Sequence, residues 1–326
     1  MVRLRPFIVF IVKAILRSCL VALACLSAAR AERVVFHFDW FAGAQFAGIY
    51  AAEAQSFYRE AGLTIESRPF AFGLKPIEDM AAVDVCSIGA IEGYIFVQKR
   101  AQGNDIRAAA AMLQESPAGY MMLATTDIHG VTDFPGHRIG VHTFADPLFR
   151  WFMRRRNLDP QDADMRFTGD DVTQLTTGQL DAMQGYATEE YVQLRARAPG
   201  DTRFLSFAEL GFPSYSEVLY TTANQAERHP ATIRAFVEAT RRGWTYVFEH
   251  LNEATALVAA HVGEQADLAH IRASLGALQT FVRPDGQEPL APMTSQKWDA
   301  MQAACLEMGL IKNAEPATQF LLQPAP

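Results

Sequence analysis

Residues 36–63 read FHFDWFAGAQFAGIYAAEAQSFYREAGL, and they change character twice. Val34 to Asp39 is an apolar, β-favouring run. Phe46, Ile49, Tyr50 and Phe57 then recur near helical spacing until Gly62 offers a stop. Between strand and helix lies a loop carrying Asp39, Trp40 and Gln45. In open α/β sheets that junction is where ligands bind, because the helix start presents free amides and the strand end leaves a crevice.

The same succession returns along the chain. Leu63 to Phe70 and Val83 to Ile88 read as strands, the second followed by Gly89 and a helical stretch from Ile91 to Arg100. Ile106 to Leu113 and Tyr120 to Thr125 read as extended, and His129 to His137 is rich in turn residues before a strand at Arg138 to His142. Asp146-Pro147 opens a helix, with aspartate as the expected N-cap and proline at the first helical position. Leu180 to Met183 is a strand, Gly185 to Thr188 its exit and Glu189 to Ala196 a helix. Strands alternating with helices predict an α/β protein with mostly parallel sheets. After Pro230, residues Ile233, Phe236, Val237, Thr240, Trp244, Val247, Phe248 and Leu251 step by three and four, the stripe of a core-facing helix. Trp298, Met301, Cys305 and Met308 predict a last helix ending at Gly309.

The first 31 residues stand apart. Arg3, Arg5, Lys13 and Arg17 precede an apolar run from Leu20 to Leu26, and Ala29-Arg30-Ala31 fits a small-x-small cleavage rule. The expectation is a signal peptide over 1–31, with Glu32 as mature N-terminus and an extracytoplasmic destination. Cys25 follows Ala22-Leu23-Ala24, a poor lipoprotein signal, so lipidation is the lesser option. Lys13 and Arg17 interrupt the roughly 20 apolar residues that a membrane anchor requires. Five of the 29 basic residues and none of the 36 acidic ones lie in this leader, so the remainder carries a net charge of about −12 and is a poor partner for nucleic acid. Only Cys86 and Cys305 lie beyond the leader. Two cysteines so far apart make neither a metal spacing nor a disulfide framework, and two buried free thiols are expected.

Four junctions, at Asp39 to Phe46, Ser87 to Glu92, Thr143 to Pro147 and Gly185 to Glu190, hold polar and aromatic groups that core packing does not need. Taken singly each has a plain structural explanation, a core tryptophan for Trp40 or first-turn acids for Glu189 and Glu190. His37 and Asp39 share a strand face and could begin an acid-base pair, although a strand histidine with a satisfied hydrogen bond is the simpler reading. There is no HExxH, no phosphate-binding glycine loop and no G-x-S-x-G elbow, so no metal and no cofactor is expected.

The D-W, Q-F-A-G-I-Y-A-A and F-Y-R-E-A-G-L succession of Asp39 to Leu63 resembles the substrate-binding proteins related to thiamine-pyrimidine synthase. The resemblance continues through Leu113-Gln114-Glu115-Ser116-Pro117, through Gly178 to Tyr186, and through Arg234 to His250 and Gly309 to Lys312. It implies a two-lobed, type II periplasmic binding protein of the Venus-flytrap kind. Lobe 1 would be 32–125 with 222–326 and lobe 2 126–221, the chain crossing near Tyr120 to Thr126 and returning near Leu219 to Thr222. Implied too are an ABC permease in the inner membrane as partner and a pyrimidine-like small molecule as ligand. Asp39 and Trp40 fall on its first-strand ligand positions and Glu190 on the acidic position of the second lobe. With them Gln45, Phe46, Tyr50, Gln114, Ser116, Tyr186 and Glu189 complete the expected ligand set. The sequence departs from the synthase branch at Phe46, where histidine is usual, at Gln45 and Glu189, where asparagine is common, and in having no cysteine-rich iron site. The alternatives are a ligand-sensing receptor, which the neighbouring genes would reveal, and a pyrimidine-synthase-like enzyme.

Overall fold

A computed structural model describes residues 31–198 and 201–322. The expected signal peptide and Cys25 lie outside these residues. Ten strands form two five-stranded sheets, and the chain makes each sheet by the same winding. The first holds β1 (Glu32–His37), β2 (Leu63–Arg68), β3 (Cys86–Gly89), β4 (Ile106–Leu113) and, from much later in the chain, β10 (Ser216–Thr222), in the order β2-β1-β3-β10-β4. The second holds β5 (Ala118–Leu123), β6 (Arg138–Val141), β7 (Asp164–Phe167), β8 (Ala182–Tyr186) and β9 (Thr202–Ser206), in the order β7-β6-β8-β5-β9. In each, one strand runs against its neighbours: β10 pairs antiparallel with β3 and β4, and β5 with β8 and β9. The expected mostly parallel α/β sheets are therefore present, each with a single reversed strand.

Those two reversed strands move the expected crossings. Strand β5 belongs to the second sheet and β10 to the first, so the chain changes sheets at 114–117 and 207–215, not near 120–126 and 219–222. Both true crossings carry turn chemistry: Pro117 closes the first, and Gly211, at φ +97°, and Pro213 bend the second. The residues expected to cross are instead apolar strands buried between neighbours. The two crossings touch, the Ser116 N–H donating to the Ser214 carbonyl at 2.8 Å. One apolar core runs beneath both, joining Tyr120 and Ile139 of the second sheet to Val218, Tyr220, Phe96 and Trp298 of the first.

Helices cover the sheets as the periodicity requires. The stripe after Pro230 is the helix Pro230–Glu249, with Phe236, Trp244 and Val247 wholly buried. It lies against Ala47–Ala54 so closely that a Cβ on Gly243 would stand 2.0 Å from the Gly48 carbonyl oxygen. The first expected helix is broken at Ser56, whose φ of 64° starts a separate turn, Phe57–Glu60, before Gly62 at φ +75°. Asp146 is the first residue of its helix rather than the N-cap, and its carboxylate pairs with Arg150 one turn on, at 2.8 Å. The strand expected at 180–183 begins at Ala182 and continues to Tyr186. Helices Pro76–Ala81, Leu251–Val262 and Leu268–Val282 and strands β7, β9 and β10 have no counterpart in the expected elements. Cys86 and Cys305 are free and buried, and burial pushes both thiols up to about 12.

Candidate functional site

The carboxyl ends of the parallel strands in the two sheets converge on the crossings. From the first sheet come Asp39, two residues past β1, Glu92, three past β3, and Glu217, near the start of the reversed β10. From the second come Tyr186, closing β8, and Glu190, the first residue of the helix Glu190–Arg197. The Tyr186 hydroxyl is pushed upward by burial and then by the charges of Glu92, Glu190 and Glu217, so acids from both sheets act on one ring. Glu92, Tyr94, Ser116, Gln184, Tyr186 and Ser214 line a narrow cavity of about 30 Å³, room for water but not for an aromatic ring.

Burial perturbs four carboxyl groups here; among the described residues no cation pairs with Asp39, Glu92 or Glu217, while Glu190 lies near enough to His270 to raise it. Burial pushes Asp39 up to about 6, a hydrogen bond from Glu217 opposing it. Burial pushes Glu92 up to about 8, although its Oε1 accepts from the Ser216 hydroxyl at 2.7 Å. Glu217 stands well above the usual range through burial and the adjacent Asp39 charge, so it keeps its proton and donates to Asp39. Glu190 is raised to about 7 by burial, against the N–H of Tyr186 donating to its Oε2 at 2.7 Å. Desolvation disfavours the charged form of an acid, and here no nearby cation reverses that.

The expected residues divide. Asp39, Ser116, Tyr186 and Glu190 are brought to the cavity region. Trp40 stands beside Asp39 but half exposed (52%), in a ring cluster with Phe41, Phe70 and Phe72. Gln45 braces its own loop, its Nε2 donating to the Phe41 carbonyl at 3.2 Å. Phe46 is wholly buried, edge-on to Phe38 at 4.7 Å between centroids, so it packs the core rather than facing a ligand. Tyr50 is also interior, stacked on His261 at 3.7 Å, and meets the site only through the Glu217 charge. Gln114 gives its amide hydrogens to the Ala111 and Ala291 carbonyls and so holds the crossing. Glu189 is exposed and pairs with His270 of the helix Leu268–Val282 at 2.8 Å, an ion pair from lobe to lobe.

Glu92 and Glu217 were missed as site residues. Glu92 ended a junction that drew attention, but an acid before a helix reads as a dipole partner. Glu217 sits inside SEVLYTT, the strand Ser216–Thr222, where an acid within an apolar run is the available signal. Among the described residues, no group of three or more His, Cys, Asp or Glu is placed to hold a metal.

Comparison with known proteins accounts for this architecture. The NMT1/THI5-like family pattern matches residues 43–254. The chain belongs to the NMT1/THI5-like family. A relative in Legionella pneumophila, named 4-amino-5-hydroxymethyl-2-methylpyrimidine phosphate synthase, is 22% identical over 237 residues, 70% of this chain and 73% of its own length. The formylaminopyrimidine-binding protein of Halalkalibacterium halodurans is 23% identical over 233 residues, 68% of each chain. Among solved structures, the periplasmic aliphatic sulphonate binding protein SsuA from Escherichia coli superposes with a TM-score of 0.68 at 16% identity, covering 89% of this chain and 97% of that one. The NMT1/THI5-like chain thus has the two-lobed periplasmic-binding-protein fold, and among its described residues no helix is long and apolar enough to cross a membrane.

Proposed function

We propose that this NMT1/THI5-like protein is the exported solute-binding component of an ABC importer, holding a small amino-substituted heterocycle, such as a thiamine-precursor pyrimidine, between its lobes. The observation that carries the reading is the convergence of buried acids from both sheets on Tyr186 with no lysine or arginine paired to them among the described residues. Ring amines donate hydrogen bonds that such acids accept, whereas a sulfonate or phosphate needs arginine or lysine. The fold is shared with sulfonate binders, so ligand class rests on the site and not on the architecture. In this reading Trp40 covers the ring face, and Asp39 and Glu190 take the amino groups from opposite sides. A stack adds about 0.5–1.5 kcal/mol beyond its burial, and each charged hydrogen bond about 1.5–3 kcal/mol. With apolar burial, that reaches about −8 kcal/mol, or micromolar affinity, after the cost of association. Ligand contact with both lobes favours the closed state that a permease would receive.

The test is a thermal-shift screen of aminopyrimidines, thiamine and alkanesulfonates, followed by calorimetry. A ligand at a hundred times its Kd adds about 2.7 kcal/mol of stability. Stabilisation by aminopyrimidines alone supports the reading; stabilisation by sulfonates alone overturns it. The synthase name of the Legionella relative favours one competing reading, catalysis on a pyrimidine. Capture predicts that a bound pyrimidine is recovered unchanged from the purified protein after prolonged incubation.

A further inference from the structure

The geometry points to a ligand that binds as a cation, its protonated amine or amidine edge received by Glu217 and Glu92 beside Asp39. This inference rests on the solute-capture reading; it names the charge of the ligand, which that reading leaves open, and adds Glu217 and Glu92 to the receiving residues beside Asp39.

Three observations carry it. First, Oδ1 of Asp39, Oε2 of Glu92 and Oε2 of Glu217 are buried and receive no hydrogen bond from an N–H or hydroxyl donor. Glu217 is 9% exposed, and the one proton it holds is shared with Asp39. Buried polar atoms are nearly always satisfied, so three such oxygens at one place mark missing hydrogen-bond partners. Second, Glu217 has φ 49°, the left-handed region, in a non-glycine residue inside a strand. Such a conformation is strained, and it persists where the surroundings fix a side chain in an unfavourable but needed place. Third, the groups facing these acids supply no countercharge: Tyr94, Tyr186 and Tyr220 stay protonated, Tyr50 lies below, and Glu190 adds a further acid. No lysine, arginine or histidine pairs with Asp39, Glu92 or Glu217 among the described residues.

A neutral ring amine could satisfy one or two of these oxygens. A cationic edge satisfies the oxygens and also supplies the absent charge, which a low-dielectric site rewards most. Its arrival favours the ionised carboxylates and so lowers their pKa values, and protons held by Glu92 and Glu217 pass to the solvent.

Calorimetry with 4-aminopyridine (a cation at neutral pH), pyrimidine (neutral) and benzenesulfonate (an anion) tests this on the full chain. The expected result is that 4-aminopyridine binds at least tenfold more tightly than pyrimidine, that benzenesulfonate does not bind, and that buffers of different ionisation enthalpy reveal proton release. Glu217→Gln is expected to lose at least tenfold in affinity while the free protein melts close to wild type, since glutamine replaces a carboxyl that is already protonated in the free protein but cannot release a proton to meet a cation; Glu92→Gln repeats the pattern without touching the strained position. Equal affinity for 4-aminopyridine and pyrimidine overturns the inference and leaves heterocycle capture standing. Undiminished 4-aminopyridine affinity in both variants, or a lowered melting temperature in both, overturns it as well, the second by making the acids structural.

Discussion

Glu92 keeps one oxygen on Ser216 and the other bare, and its proton stays until about pH 8. The unfolded chain releases the same proton near the ordinary glutamate range. With the folded value raised, the stability this group contributes is fully present at low pH and is lost as pH rises from about 4.5 through about 8. Asp39, raised to about 6, and Glu190, raised to about 7, act in the same sense over narrower windows. Urea unfolding of the ligand-free protein is therefore expected to show lower stability at pH 8 than at pH 5, with a shallower slope in Glu92→Gln. At Trp40 the expectation is of another kind. A ring half in solvent contributes little to the fold, so Trp40→Ala is expected to cost at least tenfold in ligand affinity by calorimetry while circular dichroism and melting stay close to wild type. Asp39, Tyr186 and Glu190 were legible as candidate site residues because they interrupt strand-to-helix junctions. Phe46 and Tyr50 sat in the same motif but turn inward, since sequence spacing at the first turn of a helix does not say which side faces the crevice.

Among the elements, the long helix Pro230–Glu249 was legible because its apolar stripe runs unbroken for five turns, whereas the helices Leu251–Val262 and Leu268–Val282 carry alanines and short polar residues that blur the contrast between faces. Strands β7 and β9 are short, lie at the edges of their sheet and mix charges with apolar residues, so alternation has little length in which to show. The close approach of Pro230–Glu249 to Ala47–Ala54 depends on two glycines. Gly243→Ala sets a methyl carbon against the Gly48 carbonyl, and overpacking of this kind costs about 1–3 kcal/mol. Chemical denaturation is expected to report a loss at the upper end of that range, because a backbone oxygen yields less readily than a side chain.

For the molecule as a whole, the α/β sheets followed from the repeated strand, loop and helix succession and the two-lobed plan from the family resemblance, but the crossings followed from neither. A reversed strand inserted between parallel ones is as apolar as they are, and only its pairing tells which sheet owns it. The lobes meet through the crossings, through Glu307, which accepts from the Trp151 indole and pairs with Arg155, and through Glu189 and His270. The Glu189 carboxylate holds His270 above its ordinary value, with Asp267 and Glu190 adding to the effect and burial opposing it. That contact is complete at low pH and is lost as pH rises through the raised value. Small-angle scattering of the free protein is expected to give a larger radius of gyration at pH 8.5 than at pH 6, and His270→Gln to lose most of the difference.

The two sequestered thiols have a practical corollary. Because Cys86 and Cys305 are shielded and hold their protons to about pH 12, alkylating dyes would pass them by at neutral pH. A single cysteine introduced at the exposed Phe72, close to Trp40, would then carry a fluorophore at one defined spot, turning lobe movement into an optical signal without first stripping the native sulfur atoms.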